Sequence, residues 1–238
     1  MYRMASTTFE LSAKKADFVS AVSHDLRSPL TSIRMYAEVL KETWPDESKR
    51  TTYLRYIGEE SERLSRLIEN VLALARLENN DWAIQVALHD PASLLQRISN
   101  KLDPIAQRAD YTLEVSIEPA SGNILADEDA LTQILHNLVD NAIKFSGEGE
   151  KRILLRHVRD HDQSVISVRD FGPGIPPEQM GKIFDRFYRI ENEMTRSTRG
   201  AGIGLAIVKL LADRMNVRLN VVNRNPGAEF LLRYPLVS

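Results

Sequence analysis

Cysteine is missing altogether, which excludes disulfide bridges and thiolate metal sites and suits a reducing compartment. No apolar run approaches the roughly 18 residues that a membrane-spanning helix needs, and the N-terminus lacks the apolar core of a signal peptide. An excess of one charge is missing too. The 31 basic residues nearly cancel the 33 acidic ones, so no nucleic-acid partner is expected, and no membrane contact within this stretch of chain. Internal repeats, low-complexity tracts and the G-x-x-x-x-G-K-[ST] signature of a P-loop are likewise absent. What remains is 238 residues, room for one large domain or two small ones with real cores.

The first third is patterned for two long helices. Phe18, Val22, Leu26, Leu30, Ile33, Ala37 and Leu40 recur at steps of three and four and form one apolar stripe. Thr43-Trp44-Pro45-Asp46 interrupts it, and Pro45 is placed to stop a helix. A second stripe follows through Ile57, Leu64, Leu67, Val71, Leu74 and Leu77. Two such helices make an antiparallel hairpin whose core is too small alone, so a second copy completing a four-helix bundle is the economical expectation. A plain coiled-coil dimerisation element fits the same stripes.

From about Asp81 the texture changes. Alternating or β-branched runs appear at 83–88, 112–117, 152–158, 165–169, 217–222 and 229–234, with helical patterns at 91–109, 129–145 and 203–215. Strands mixed with helices over this length predict an α/β or α+β sandwich, with the boundary near Asn79-Asn80-Asp81.

Within the first helix His24 lies two residues from both Val22 and Leu26. At 100° per residue it points away from the stripe, available to chemistry although an ordinary surface histidine would sit there too. Pro29 removes the amide that would bond the Asp25 carbonyl, so a loosened helix is expected beside His24. The adjacent Asp25 can orient the imidazole or take its proton as the other nitrogen attacks an electrophile.

Further along, Asn137, Asn141 and Lys144 at i, i+4 and i+7 form a polar stripe beside the apolar Leu131, Leu135, Leu138 and Ala142. Two amides and an ammonium suit a hydrated Mg²⁺ and the phosphates it neutralises; an ordinary wet helix face would look the same. Asp170-Phe171-Gly172-Pro173-Gly174 follows a strand. Glycine lets the backbone approach a flat ligand, and Asp170 can accept the exocyclic amino group of adenine; a plain Pro/Gly turn is the alternative. Gly200-Ala201-Gly202-Ile203-Gly204-Leu205 opens a helix, where free amides bind anions. Arg189, Arg196 and Arg199 in the polar stretch before it read as a lid that can reach phosphates. The glycine spacing is not G-x-G-x-x-G, and the Asp-Phe-Gly triplet has no catalytic-loop or strand-lysine partner upstream, so neither a dinucleotide fold nor a eukaryotic-type kinase follows.

Taken together, these segments resemble the cytoplasmic core of a bacterial two-component sensor histidine kinase from about Asp17 to the C-terminus. Ser23–Leu30 is similar to the H-box, Asn137–Phe145 to the N-box, Asp170–Gly174 to the first glycine box, Phe184–Arg189 to the F-box and Gly200–Leu205 to the second glycine box, in the family order. The resemblance implies a helical lead-in at 1–16, a dimerisation and histidine-phosphotransfer hairpin at 17–80 forming a dimeric four-helix bundle, and a Bergerat-type ATP-binding α/β sandwich at 81–238. It implies His24 as phosphoacceptor, Asp25 as its helper, Asn141 as Mg²⁺ ligand with Asn137 and Phe145 close by, Lys144 and Arg189 on phosphates, and Asp170 on adenine. Gly172, Gly174, Gly200, Gly202, Gly204 and Leu205 would line the nucleotide. ATP and Mg²⁺, a homodimer and a response-regulator receiver domain are the implied ligands and partners. The parent protein is expected to be anchored in the bacterial inner membrane, with this part cytoplasmic and any sensor upstream.

Two departures from the family stand out. Ser28 replaces the Thr or Asn common four residues after the histidine, where it aids dephosphorylation of the regulator. Asn216-Val217 stands where a paired-glycine turn is usual. Two other readings remain: an ATP-dependent serine kinase of the anti-sigma-factor type, which lacks the H-box hairpin, and a degenerate module that signals by dimer conformation alone.

Overall fold

The computed structural model describes residues 2–79, 81–119, 122–146, 150–186, 188 and 202–237. Its contacts divide the chain into two units, one running to Ala75 and the other from Arg76 onward.

The first unit is built from helix α1 (Tyr2–Thr43) and most of helix α2 (Glu47–Glu78). Trp44-Pro45-Asp46 separates them, with Trp44 at φ 38°. Tyr36 on α1 stacks on Tyr53 and Tyr56 of α2, at 5.5 and 5.2 Å between ring centres, so the helices fold back on one another as the stripes predict. α1 passes through Pro29 without a break. The loosening expected there is not seen as a helix end, because one missing amide in a helix of this length removes a single bond from a long ladder. Leu30, Leu54, Ile68 and Leu72 stay exposed on this unit, although Leu30 belongs to the apolar stripe.

The second unit is a two-layer α/β sandwich. Its chain order is β1 (Ala87–His89), α3 (Pro91–Arg108), β2 (Thr112–Ile117), β3 (Ile124–Ala126), α4 (Glu128–Phe145), β4 (Arg152–Asp160), β5 (Gln163–Arg169), α5 (Gly204–Arg214), β6 (Arg218–Asn223) and β7 (Ala228–Pro235). The main sheet runs β2-β4-β5-β7-β6, parallel only between β2 and β4. Every second residue enters the core: Ile153 and Leu155 on β4 lie beside Ile166 and Val168 on β5, then Phe230 and Leu232 on β7. These pack under α3, α4 and α5, whose Leu94, Leu95, Ile98, Leu131, Ile134, Leu138, Ile207 and Leu211 are fully enclosed. Each such side chain stabilises the unit by about 1.5–3 kcal/mol.

The starts of α3 and α4 are set by side chains. Asp90 accepts from Ser93 N at 2.8 Å ahead of Pro91, the residue whose missing amide suits the first turn. Asp127 caps α4 through Ala130 N at 2.9 Å, and its other oxygen accepts from Gln85 N at 2.7 Å. That second bond explains one difference from the sequence reading. The 83–88 run forms a strand only at its end, because its earlier backbone is held by a side chain instead of a neighbouring strand. β3 is too short to leave a pattern in the sequence. Asn216 takes φ 56° at the end of α5, where the resemblance leads one to expect glycine; among L-residues, asparagine adopts that left-handed geometry most readily.

Candidate functional site

In the first unit the expected site residues share one short stretch of α1. His24 is solvent-facing, its side chain 81% exposed, while the neighbouring Asp25 side chain is only 9% exposed. Nδ1 of His24 lies 3.5 Å from Asp25 Oδ1, so Nε2 is the ring nitrogen not engaged by that carboxylate. Asp25 Oδ2 is enclosed, with no hydrogen-bond partner among the described residues. Ser28 is half-buried one turn further on.

In the second unit the remaining residues come from three elements that meet. Along α4, Asn137 is buried, Asn141 is half-buried, and Lys144 and Phe145 are exposed. Lys144 pairs with Asp140 one turn back, so its charge is partly neutralised before any ligand arrives. Asn137 Nδ2 is a buried donor with no partner among the described residues. A Cβ on Gly204, the first residue of α5, would lie 3.6 Å from Asn137 Oδ1 and 3.9 Å from Asn141 Nδ2. The two amides therefore face the start of α5. That start carries no side-chain cap, unlike α3 and α4, and follows Gly202 at φ 66°. Leu205 sits in its first turn, half-buried. Uncapped amides beside an orphaned buried donor fit an anionic ligand.

The third element is the loop after β5. Asp170 is mostly enclosed, and Gly172 packs so tightly on the end of α4 that a Cβ there would lie 2.7 Å from Phe145 O and 2.8 Å from Ser146 Cα. Burial pushes the Asp170 carboxyl above its ordinary value, against the opposing pull of two backbone amides, Gly172 N at 3.0 Å and Ala228 N at 3.1 Å. Both bonds fall on Oδ1. Gly174 follows at φ 76°. Phe171, between the aspartate and the tight glycine in sequence, is buried and has two guanidinium groups near its ring, Arg152 at 3.8 Å and Arg169 at 4.6 Å from the ring centre.

Gly200, Arg189 and the lid arginines Arg196 and Arg199 lie outside the described residues, as does most of the stretch read as a lid. Of the F-box, Phe184 meets Phe230 edge-on at 6.3 Å, and Arg186 pairs with Glu78. For Mg²⁺ the donors fit in kind. The Asn141 carboxamide, near the uncapped start of α5, could offer such an ion a neutral oxygen.

Some residues that shape this site were not singled out from sequence: Arg152, Arg169, Asn223, Gly227 and Ala228. Apart from Arg169, which directly precedes the loop on β5, they reach the 170–175 loop from β4 and the β6–β7 turn, which only folding brings alongside it, so spacing holds no signal for them. The one readable hint is the Asn223-Arg224-Asn225-Pro226-Gly227 run, a turn signature.

Two family models match the chain in tandem. "His Kinase A (phospho-acceptor) domain" covers residues 14–80, and "Histidine kinase-, DNA gyrase B-, and HSP90-like ATPase" covers 126–238. Among curated relatives, the sensor protein kinase WalK of Staphylococcus haemolyticus is 35% identical over 214 residues, 88% of this chain and 34% of the relative. WalK of Staphylococcus aureus is 34% identical over the same length, covering 51% of a shorter form. The chain thus spans about a third to a half of the length of these relatives. Among solved structures, full-length ShkA in complex with AMPPNP aligns with TM-score 0.62 and 28% identity, over 94% of this chain and 46% of that one. The fold is also that of histidine kinase ThkA in complex with the response regulator protein TrrA, at TM-score 0.71 and 23% identity, over 99% of this chain and 66% of that one. An exposed histidine on a helical hairpin, followed in the same chain by an ATPase sandwich and matched by both family models, places this protein in the bacterial two-component sensor histidine kinases.

Proposed function

We propose that the chain autophosphorylates on His24 from ATP bound in the second unit and passes the phosphoryl group to an aspartate of a response-regulator receiver domain. The observation that carries this is the pairing of an outward imidazole, backed by an enclosed carboxylate, with a separate site whose free helix amides and orphaned Asn137 donor suit a polyphosphate. His24 Nε2 attacks the γ-phosphorus of ATP, the bond to the β,γ-bridging oxygen breaks, and ADP leaves. The Nδ1 proton passes to Asp25, whose oxygen lies on that side of the ring.

In this reading Asn137 and the amides from Gly202 to Leu205 hold phosphates, with Gly200 and Arg189 joining them. Lys144 adds positive charge once the phosphates compete for it with Asp140. Phe145, Gly172 and Gly174 form the walls around the base, and Asp170 accepts from the adenine amino group. Mg²⁺, held by Asn141 and the phosphates, would neutralise charge as the phosphoryl group moves. Transfer of this kind asks the protein for position and charge more than for covalent help.

Exposed Leu30, Leu54, Ile68 and Leu72 support a homodimer in which a second hairpin covers them, the division being a hairpin domain at 17–80 and an ATP-binding domain at 81–238. Ser28, one turn from His24, would serve a separate reaction, hydrolysis of the regulator's acyl phosphate by water. As the signalling portion of a longer membrane-anchored sensor, this part would work on the cytoplasmic side. The test is incubation with γ-labelled ATP and Mg²⁺. Label that is labile in acid and stable in base, and absent from His24→Ala, is expected; acid-stable label, or label surviving that substitution, refutes the reading.

A further inference from the structure

The turn between β6 and β7, residues 223–228, grips the loop that carries Asp170 at three separate points. At the near end, Arg169 Nη2 donates to Pro226 O at 3.0 Å. In the middle, Asp170 N donates to Ala228 O at 3.0 Å, and Ala228 N returns a bond to Asp170 Oδ1 at 3.1 Å. At the far end the Asn223 side chain spans the backbone of Ile175. Its Oδ1 accepts from Ile175 N at 2.9 Å and its Nδ2 donates to Ile175 O at 2.7 Å. The turn is itself closed by Arg224 N to Gly227 O at 2.7 Å. Gly227 has φ 97° and lies so close beneath Asp170 that a Cβ there would overlap the Asp170 carbonyl oxygen, so only glycine allows the two backbones to meet.

These contacts have a chemical consequence for the carboxylate. Oδ1 takes both backbone amides, Gly172 N and Ala228 N, and is thereby fixed in place. The carboxylate cannot rotate without losing both bonds, so Oδ2 is the oxygen presented to a ligand. A single fixed acceptor distinguishes a base that offers an amino group from one that offers a carbonyl at the same position, as adenine and guanine do. A mobile carboxylate, or one tilted by a few tenths of an ångström, would discriminate less, because selectivity of this kind comes from groups that cannot re-orient to suit the wrong partner.

Resting on the proposed ATP site, we infer that Asn223 is a positioning residue for purine selectivity: by replacing a missing strand partner for Ile175, it holds the far end of the 170–175 loop and fixes the direction of Asp170 Oδ2. Asn223 is itself exposed and at the strand end, where an amide that bonds the solvent would be equally at home. Its two-point contact with a residue 48 positions away is therefore not a by-product of burial.

The experiment is titration calorimetry of ATP and GTP into the full chain with Mg²⁺, comparing wild type with Asn223→Ala, Asn223→Asp and Asp170→Asn. Asn223→Ala is expected to weaken ATP by about tenfold while changing GTP by less than about threefold, so that the ATP:GTP preference falls. Asn223→Asp keeps the acceptor for Ile175 N and loses the donor, and should fall between the two. A merely structural role would weaken both nucleotides together and leave their ratio unchanged, and that result overturns the inference. Asp170→Asn separates this from failure of the underlying reading. If it collapses the preference while Asn223→Ala leaves it intact, Asp170 reads adenine but the turn does not aim it. If neither substitution changes the preference, the adenine reading falls as well, and the inference with it.

Discussion

Replacing Asp170 with asparagine should make the second unit more stable and nearly useless for ATP. The substitution is almost isosteric and keeps the acceptor atom that matters locally, because Oδ1 already takes Gly172 N and Ala228 N at 3.0 and 3.1 Å. What changes is the second position, where an acceptor oxygen becomes an amide donor facing the adenine amino group, also a donor. Losing a charge-assisted hydrogen bond and leaving a donor opposed comes to about 3 kcal/mol, roughly 100-fold in Kd. Stability moves the other way. Burial raises the Asp170 pKa in the folded state, so the folded chain holds that proton more readily than the unfolded chain does. The stabilisation that protonation brings is complete below the unfolded carboxyl pKa and is lost as pH rises through the folded one. At neutral pH the charge is enclosed at a cost, which asparagine removes. Scanning calorimetry without nucleotide should give Asp170→Asn the higher midpoint at pH 7, with the gap closing on acidification. Titration calorimetry with ATP supplies the second arm. A variant that binds ATP within about threefold of wild type, or is less stable at pH 7 with a gap that widens in acid, refutes the reasoning.

Other substitutions probe other parts of the frame. Gly172→Ala forces a Cβ against Phe145 O and Ser146 Cα, both backbone, so the end of α4 must move; denaturant unfolding should show a loss of about 1–3 kcal/mol with weaker ATP binding alongside. Leu211→Ala opens a cavity at a fully enclosed position on α5 and should cost about 2–5 kcal/mol by the same measurement, without touching a proposed ligand group. The pair Leu54→Glu and Leu72→Glu places charge on the exposed apolar face of α2, and sedimentation should show monomers that still bind ATP. Monomers already present in wild type at micromolar concentration would count against the bundle.

The helices were legible because their stripes are long. α2 breaks from α1 where Pro45 said it would, and β2, β4, β5, β6 and β7 fall within two residues of their patterned runs. What was not legible depended on contacts between distant segments. The 83–88 run looked like one strand, yet Asp127, 42 positions after Gln85, takes the Gln85 amide. β3 is three residues long and leaves no period to read. At the site, the glycine boxes and the asparagine stripe were visible as residue types. Their convergence was not, since nothing in the spacing puts Gly204 beside Asn137 or Gly172 on Phe145 O. Asn223 was not singled out at all, and its bond to Ile175 is a property of the folded sheet alone. Sequence reads a site's chemistry where the residues lie on one helix, and loses it where strands must first be laid side by side.

The bare start of α5 has a consequence for the protein's lifetime. α3 and α4 each begin under an aspartate, so their first turns are closed whatever the solution contains. α5 has no such closure, and the Asn137 donor beside it is equally unmet. A nucleotide that satisfies both acts as a missing piece of the fold, and at a hundredfold excess over its Kd it would raise the unfolding free energy by about 2.7 kcal/mol. An unloaded domain would then open more often and be cut sooner by proteases. Cellular adenylate would set not only how fast this protein signals but how long each copy of it survives.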